Sequence, residues 1–340
     1  MISTRNLNTA KISSSGNEWL QPLYGLVQVY NSMEKSPDKA EKIRVLERLL
    51  GCSTYWITSK RPKNTPTNLA RWKAMEGLAN DVAKEMDTLG GKMLSGPSNW
   101  RAVTDANRHY WLEKMDPRHR PGFELSTAFE NWLIRGGALS FWDYCQIYSY
   151  SYFTGHEVKQ YINAADAKKK EVGVRHGIFR TLDPMNDTPF DTSGNKTLFS
   201  GIGWAIFVVD MEGRLYCGDH EEGKFHHSTF LAGGAVQAAG ELVAENGEIK
   251  VVTAKSGHYT PGVDQMLQFL KCFPQVSGSA IIRPDFFDIR DTGEPRFYRV
   301  KQFRFEGKKA KSLKRGEVVK EIPTWAQVGN ASTIIGKISA

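Results

Sequence analysis

Cysteine is scarce in this sequence of 340 residues, which contains only Cys52, Cys145, Cys217 and Cys272. No two of them form a CxxC pair, so the pattern excludes a zinc knuckle and a disulfide-stapled scaffold. We interpret all four as ordinary reduced or buried thiols. We also expect no histidine metal site, because adjacent residues such as His226 and His227 would point to opposite faces of a strand.

Long apolar runs are absent as well, since no stretch approaches the roughly 20 residues of a membrane-spanning helix. The first 20 residues lack the apolar segment of a secretion signal. We therefore predict a soluble protein with no membrane span and no conventional signal peptide.

Several catalytic motifs are missing. The sequence has no Gly-rich phosphate motif of the P-loop or Rossmann type, which argues against nucleoside triphosphate chemistry. It also has no G-x-S-x-G nucleophile elbow of a Ser-His-Asp hydrolase. A Cys-His protease stays open as an alternative only through Cys217 in RLYCGDH.

Apolar and aromatic residues, by contrast, are plentiful: 40% of the chain is hydrophobic, with 17 Phe, 12 Tyr and 9 Trp, which excludes a disordered chain. Helical spacing predicts three helices within residues 1–95. The second should begin after Ser36-Pro37-Asp38 and end at Gly51, and the third should end at Gly90-Gly91. Residues 96–170 are predicted to be an aromatic-rich helical junction that contains Trp100, Trp111, Trp132 and Trp142.

Residues 171–340 have the short β-type runs and turn residues of hairpins. The predicted strands are VRHGIFRTL, GWAIFVVD, RLYCG, AGELVAE, EIKVVTA, GSAIIRPDFFDI and RFYRVKQFRFE. Asn246-Gly247 is the strongest turn signal, and GVDQMLQFLKCF is the one clear helix of this region. The predicted fold class is α+β, with a helical N-terminal layer followed by a mainly antiparallel β-rich domain.

Positive charge is concentrated near the C-terminus. The chain has 45 Lys+Arg and 37 Asp+Glu, a net charge of +8, and residues 301–320 alone hold eight Lys or Arg and two Glu. This segment would suit a surface for nucleic acid, an acidic protein or anionic lipid. It would equally suit a solvated strand edge protected by lysine against aggregation. Only Phe303 and Phe305 interleave with the charges, too few for a base-stacking platform.

One segment carries a family resemblance. Its residues are Phe225-His226-His227-Ser228, Phe230-Leu231-Ala232-Gly233-Gly234, Ala239-Gly240, Asn246-Gly247 and Ser256-Gly257-His258-Tyr259 with Pro261. Upstream matches are Met115-Asp116-Pro117-Arg118-His119-Arg120, Phe129-Glu130-Asn131-Trp132, Phe141-Trp142, Phe190-Asp191-Thr192 and Ile206-Phe207-Val208-Val209-Asp210. In this order they resemble the plant IQ-motif calmodulin-binding (IQM) family, and related bacterial Rhs and toxin-complex proteins and fungal proteins.

The sequence departs from the plant pattern, because it contains no Ile-Gln followed at the proper spacing by Arg-Gly and Arg. Calmodulin binding is therefore not carried over. The resemblance to the bacterial branch implies an effector or toxin, delivered into another cell by a secretion system. It also implies an immunity or chaperone protein as a partner.

The favoured hypothesis is NAD-dependent transfer of ADP-ribose to a macromolecular target, a protein rather than a nucleic acid, by an ADP-ribosyltransferase-like domain. Such enzymes have a small antiparallel split sheet with an Arg or His, then a Ser/Thr strand, then a late Glu. The predicted catalytic residues are Glu241, His227, Ser228 and His258. The residues predicted to contact NAD are Arg180, with His176 as its alternative, and Thr229, Gly233, Gly234 and Tyr259.

Strand alternation ranks the candidate glutamates. In AGELVAENGE, Leu242 and Ala244 should share one face, and Glu241 should share the other with Val243 and Glu245. Glu241 is furthest from the Asn-Gly turn, so we choose it over Glu245 and Glu248. Its carboxylate would stabilise the positive charge that develops as the glycosidic bond breaks.

Two alternatives remain at this point. The protein could be a non-enzymatic module that captures a partner through its basic segment or its helical layer. The motifs could also be structural, with HHSTFLAGG a turn into a buried strand and SGHYTP the cap of the helix that follows it.

Overall fold

The computed structural model describes the chain in twelve parts, which are residues 1–9, 21–59, 61–62, 65–89, 106–116, 120, 122–148, 162–182, 187–221, 224–257, 259–284 and 296–326. The chain forms two compact units, Met1–Val158 and Lys159–Ala340. None of the helices in these parts is both long and apolar enough to cross a membrane.

The first unit is helical. Its described helices are α1 (Arg5–Thr9), α2 (Gln21–Ser32), α3 (Lys39–Ser59), α4 (Pro66–Thr88), α5 (Ala106–Met115), α6 (Gly122–Arg135) and α7 (Phe141–Ile147). The three predicted helices of residues 1–95 correspond to α2, α3 and α4. The predicted start of α3 is confirmed, because an Asp38 Oδ1 atom accepts a hydrogen bond of 2.9 Å from the Glu41 N–H group.

The predicted end of α3 at Gly51 is wrong, because the helix continues to Ser59. Glycine inside a helix costs only about 1 kcal/mol relative to alanine. Burial of Leu49 and Leu50 before it, and of Ser53 and Thr54 after it, outweighs that cost. Gly90, Gly91 and Trp100 lie outside the described residues.

The aromatic-rich stretch forms a cluster around Phe129 of α6. The Phe129 ring lies 5.8 Å from both Trp72 and Trp111, 5.4 Å from Trp132 and 5.1 Å from Phe141. Two of these four contacts, those with Trp111 and Phe141, are edge-on, an arrangement that the charge distribution of aromatic rings favours. The cluster therefore forms part of the core of the helical unit.

The second unit contains an eight-stranded sheet with the order β10-β9-β8-β7-β5-β6-β1-β2 and a separate β3-β4 hairpin. The strands are β1 (Glu171–Arg175), β2 (Ile178–Thr181), β3 (Lys196–Thr197), β4 (Gly201–Ile202), β5 (Ala205–Val209), β6 (Leu215–Gly218), β7 (Ala238–Glu245), β8 (Glu248–Thr253), β9 (Ile281–Arg283) and β10 (Tyr298–Arg299). The helices are α8 (Ala164–Lys168), α9 (Val263–Cys272), α10 (Val300–Glu306) and α11 (Arg315–Glu321). In the large sheet only β8 and β9 pair in parallel. The predicted α+β class with a mainly antiparallel sheet is confirmed.

The predicted turn at Asn246-Gly247 is also confirmed. Both residues have positive φ, 49° and 83°, and they join β7 to β8. The sheet curls so that β2 meets this turn, where the Phe179 N–H group donates to the Gly247 carbonyl at 2.9 Å. The Gly247 N–H group in turn donates to the Phe190 carbonyl at 2.8 Å.

Two predicted strands differ from the structure. VRHGIFRTL is a hairpin of β1 and β2, because His176 and Gly177 both adopt positive φ and reverse the chain. RFYRVKQFRFE contains only the two residues of β10 before the helix α10 begins. Val300 and Phe303, three residues apart, both pack into the core, which is a helical spacing.

Alternation along β7 directs its side chains into two apolar clusters on opposite faces of the sheet. On one face, Leu242 packs in a cluster with Met266 and Phe269 of α9. On the other face, Val243 packs in a cluster that includes Trp204 and Val318 of α11. The predicted sharing of faces along AGELVAE is therefore confirmed.

Candidate functional site

Glu241 occupies the middle of β7 and is completely buried. Its Oε2 atom accepts a hydrogen bond from the Ser200 hydroxyl and lies 3.7 Å from Lys255 Nζ. Lys255 Nζ also donates to Ser200 Oγ at 3.1 Å, and both of these side chains are buried. The structure therefore joins a carboxylate, a hydroxyl and an amine in one hydrogen-bonded group, which we call the Glu241 cluster.

Burial governs the electrostatics of this cluster. It raises the pKa of Glu241, against the opposing effects of the Lys255 charge and of hydrogen bonds from Ser200 and Thr197. It also lowers the pKa of Lys255 to about 8, with a further lowering from Arg283 and an opposing effect of Glu241. Perturbed groups of this kind concentrate at functional sites, although structural ion pairs show them too.

Strand register places Arg283 on the same side of the sheet as Glu241. Glu241 of β7 lies opposite Thr253 of β8, and Thr253 lies opposite Arg283 of β9. Lys255 follows Thr253 by two residues, so alternation predicts the same side. Two cationic side chains and one carboxylate therefore lie beside the apolar cluster of Val243.

A short hairpin covers the Glu241 cluster. It comprises β3, β4 and their turn, residues 196–202, and we call it the cover hairpin. Its Ser200 reaches Glu241, and the ring of its Phe199 lies 5.5 Å from Lys255 Nζ. Leu198, Phe199 and Ile202 are nevertheless 43–47% exposed, so the hairpin buries few of its own apolar side chains.

Asp219 anchors the cover hairpin at its base. Its Oδ1 atom accepts hydrogen bonds from the Asn195 side chain at 2.9 Å and from the Lys196 N–H group at 2.8 Å. Gly201 is the first residue of β4 and Gly203 follows this strand, and they have φ of 91° and 87°. Gly203 lies at the same base as Asp219, because its N–H group donates to the Asn195 carbonyl at 2.8 Å. Both glycines adopt a conformation that glycine tolerates better than other residues.

The HHST motif forms a buried 3₁₀ turn, His227–Thr229. His227 Nε2 lies 2.8 Å from the Gly240 carbonyl, which can only accept, so Nε2 carries the proton. Burial, with a smaller contribution from neighbouring His220, lowers the pKa of His227 to about 3, against the opposing effect of the Gly240 bond. His227 is therefore a neutral donor to the residue that precedes Glu241.

The next residues of this motif serve the turn itself. Thr229 Oγ1 accepts from the His226 N–H group at 3.0 Å. Ser228 Oγ is buried and has no hydrogen-bond partner within the described parts of the chain. His226 Nδ1 also lies 2.9 Å from His220 Nε2, which extends the polar group toward β6.

Tyr259 supports the glycine loop rather than facing solvent. Its ring is fully buried, and its hydroxyl donates to the Gly234 carbonyl at 2.7 Å. Gly233 precedes that carbonyl with a positive φ of 73°. His258, the remaining predicted catalytic residue, lies outside the described residues.

The structure places Arg180 apart from the Glu241 cluster. Its guanidinium binds Asp187 through Nε and through Nη2, each at 2.7 Å. Arg180 follows Phe179, whose N–H group donates to the Gly247 carbonyl in the β7–β8 turn. Gly247 is six residues after Glu241 in the sequence, a distance of roughly 20 Å at the rise of a β-strand. The predicted roles of Arg180 and Glu241 in one site stay a prediction.

Of the three candidate glutamates, Glu241 alone is buried. Glu245 accepts from Trp325 Nε1 at 3.1 Å, and exposed Glu248 pairs with Lys250 at 2.7 Å. Sequence reasoning missed Ser200 and Lys255. The sequence could have indicated Lys255, because it is the next alternate residue after Val251 and Thr253. A charged side chain there falls on a face of the strand expected to be buried.

Part of the chain is similar to a known protein family. Residues 168–266 match the family model described as the IQ motif-containing protein middle domain. The chain is similar to two proteins of Arabidopsis thaliana. It is 29% identical over 264 residues to IQ domain-containing protein IQM3, covering 72% of this chain and 53% of that protein. It is 33% identical over 222 residues to IQ domain-containing protein IQM2, covering 60% of this chain and 33% of that protein.

The chain thus spans between a third and about half of these curated relatives. No solved structure matches it significantly. The resemblance to the plant family is confirmed over the matched segment, whereas the resemblance to bacterial and fungal proteins stays a prediction. The chain contains a segment similar to the IQM middle domain, and Ser200, Glu241 and Lys255 all lie within it.

Proposed function

We propose that the Glu241 cluster is a site of NAD-dependent ADP-ribosyl transfer to a protein. The supporting observation is the burial of a carboxylate with a lysine and a serine beneath a hairpin that buries little of its own apolar surface. A buried ion pair is weak evidence for stability, because apolar residues of similar volume are often as stable. Its retention under a small separate hairpin therefore favours a chemical role.

Glu241 would act in the bond-breaking step. The bond between C1′ of the ribose and the nicotinamide nitrogen breaks, and its electron pair leaves with nicotinamide. A nucleophile of the target protein then bonds to C1′ and releases its proton to water. The Glu241 carboxylate would attract the positive charge at C1′, and this attraction is stronger in a site that excludes water.

We assign phosphate binding to residues other than those expected from the sequence. Arg180 is bound to Asp187, so we assign the pyrophosphate of NAD to Lys255 and Arg283, which lie on the side of the sheet that holds Glu241. His227 would position Glu241 through the Gly240 carbonyl. Thr229 and Tyr259 would position the loops around the site, including Gly233 and Gly234.

Access to the Glu241 cluster would require movement of the cover hairpin, because Ser200 and Phe199 lie against Glu241 and Lys255. Asp219 would hold the base of the hairpin as Gly201 and Gly203 change conformation. Such movements of small covering loops are common in enzymes that protect a reactive intermediate from water.

The test measures nicotinamide release and transfer of label from biotinylated NAD to proteins of a cell lysate. We expect activity in the full chain, a loss of about 100-fold or more in Glu241→Gln, and no change in Glu248→Gln. Glu248 is the matched control, because it is an exposed glutamate of the same strand pair. Folded protein that neither consumes NAD nor transfers label, or equal activity of the two variants, would refute the proposal.

A second candidate function is a non-enzymatic module that captures a partner protein. It is favoured by the burial of His227, Ser228 and Tyr259, whose side chains are enclosed by their own chain. This candidate predicts a complex in pull-down experiments that survives Glu241→Gln and weakens when the lysines of residues 308–315 are reversed in charge. The effector role, delivery into another cell and an immunity or chaperone partner belong to the first candidate and stay predictions.

A further inference from the structure

The basic segment 301–320 wraps around the β10 edge of the sheet. Phe303 and Ala310 pack into the cluster on the α9 side, and Val318 packs into the cluster on the opposite side. Between them, the Leu313 N–H group donates to the Phe297 carbonyl at 2.7 Å, next to β10. The apolar residues therefore hold the segment against both faces, and many of its other described side chains are exposed.

Lysine is the most frequent of the exposed side chains in this segment, which also include Glu306 and Glu317. The exposed lysines are Lys301, Lys309, Lys311, Lys314 and Lys320. Arginine is used internally instead, since Arg304 donates to the carbonyls of Phe273, Pro274 and Val276 at 3.0–3.2 Å. Arg299 likewise pairs with Glu321. Among the described side chains of this segment, the positive charge that faces solvent is therefore ammonium rather than guanidinium.

Phe305 lies between Lys301 and Lys309 in the sequence and is 84% exposed. It follows Lys301 by four residues in α10, so both lie on one side of the helix. Lysines alone would protect a strand edge from aggregation, and an exposed phenylalanine would work against that protection. The pairing of Phe305 with lysine indicates a contact surface.

We propose that Lys301, Phe305, Lys309 and Lys311 form a surface that binds anionic membranes, with Phe305 entering the boundary between headgroups and acyl chains. Clusters of lysine are attracted to anionic leaflets, and an aromatic ring enters this boundary without a matching pocket. Such a contact is peripheral and uses no spanning helix.

The composition of this surface favours lipid over the other anionic partners. Protein interfaces are enriched in arginine and depleted in lysine. Binding of single-stranded nucleic acid relies on several aromatic residues that stack on the bases. Among the described residues of the segment, Phe305 is the only exposed aromatic residue. A membrane needs only charge and an insertable ring. These residues are separate from the Glu241 cluster, so the proposal does not depend on NAD chemistry.

The test is co-sedimentation of the full chain with vesicles of phosphatidylcholine, with or without about 30% phosphatidylserine. We expect binding to the anionic vesicles in about 0.1 M salt and its loss in about 1 M salt, where dissolved ions screen charges that are more than about 3 Å apart. Neutralising Lys301, Lys309 and Lys311 to Gln should weaken binding about fivefold per lysine. Phe305→Ala should weaken it at least about threefold without a change in charge.

The matched control is the Lys35→Gln, Lys73→Gln double variant, which removes exposed lysines of the helical unit. It should bind as the unchanged chain does, and thermal melts should show that all variants are folded. Equal binding to neutral and anionic vesicles would overturn the proposal. So would segment variants that bind like the control, or a chain that binds RNA or polyglutamate but no vesicles.

Discussion

His227 is the residue whose surroundings alter its chemistry most clearly. Burial lowers its pKa to about 3, whereas an exposed histidine in the unfolded chain has a pKa of about 6.5. Between these values the unfolded chain binds a proton that the folded chain does not bind. The unfolding free energy that depends on His227 is therefore fully present above about pH 6.5. It is lost as the pH falls from about 6.5 toward 3, by about 1.4 kcal/mol per pH unit.

We predict that His227→Gln reduces this acid sensitivity, because a glutamine amide can still donate to the Gly240 carbonyl and does not titrate. Between pH 7 and pH 4.5 the variant should lose about 2.5 kcal/mol less unfolding free energy than the unchanged chain. Urea unfolding at the two pH values measures this difference. Exposed His176→Asn, which suits the positive φ at that position, should behave like the unchanged chain. Identical pH dependence in His227→Gln would contradict the prediction.

Glu241 shows how far residue-level reasoning extends. Alternation along AGELVAE placed it on the face opposite Leu242 and selected it over Glu245 and Glu248, and the structure buries it alone of the three. Its partner Ser200 could not be found in this way. Ser200 is 41 residues away in sequence and belongs to a separate hairpin.

At the scale of elements, the β7–β8 hairpin is specified by its turn. Gly247 has a φ of 83°, and a Cβ atom there would lie 2.9 Å from the Phe179 carbonyl oxygen of β2. We predict that Gly247→Ala lowers the free energy of unfolding by about 2 kcal/mol, through backbone strain and this contact. Chemical denaturation measures it.

The matched control for that variant is Gly194→Ala. A Cβ atom at Gly194 would meet nothing within 4 Å, and its φ is not in the left-handed region. Its effect should be within about 0.5 kcal/mol. Equal effects of the two substitutions would show that the curl of β2 onto the turn contributes nothing to stability.

The segment after β10 shows the opposite case at this scale. RFYRVKQFRFE has the aromatic and β-branched residues of a strand, yet it becomes helical from Val300. Its local propensity is ambiguous, and burial of Val300 and Phe303 against α9 selects the helix. Sequence propensity is a weak guide where two structures bury similar side chains.

For the whole molecule, the two compact units predict independent folding of the second. The fragment 159–340 contains both apolar clusters of the curled sheet. Expressed alone, it should unfold in one cooperative transition by circular dichroism and fluorescence. The fragment 204–340 lacks β1 and β2, which pair with β6 and contact the β7–β8 turn, and it should not show such a transition. A fragment 159–340 without a cooperative transition would contradict this division.

The sequence by itself determined the α+β class, the Asn246-Gly247 turn and the buried face of Glu241. Each depends on local chemistry: helical or alternating spacing, and positive φ at two adjacent residues. Only the tertiary structure decided that Ser200 and Lys255 meet Glu241, that Arg180 binds Asp187 instead, and that lysines and Phe305 surround the β10 edge. These contacts join residues distant in sequence, and strand order and the curl of the sheet bring them together.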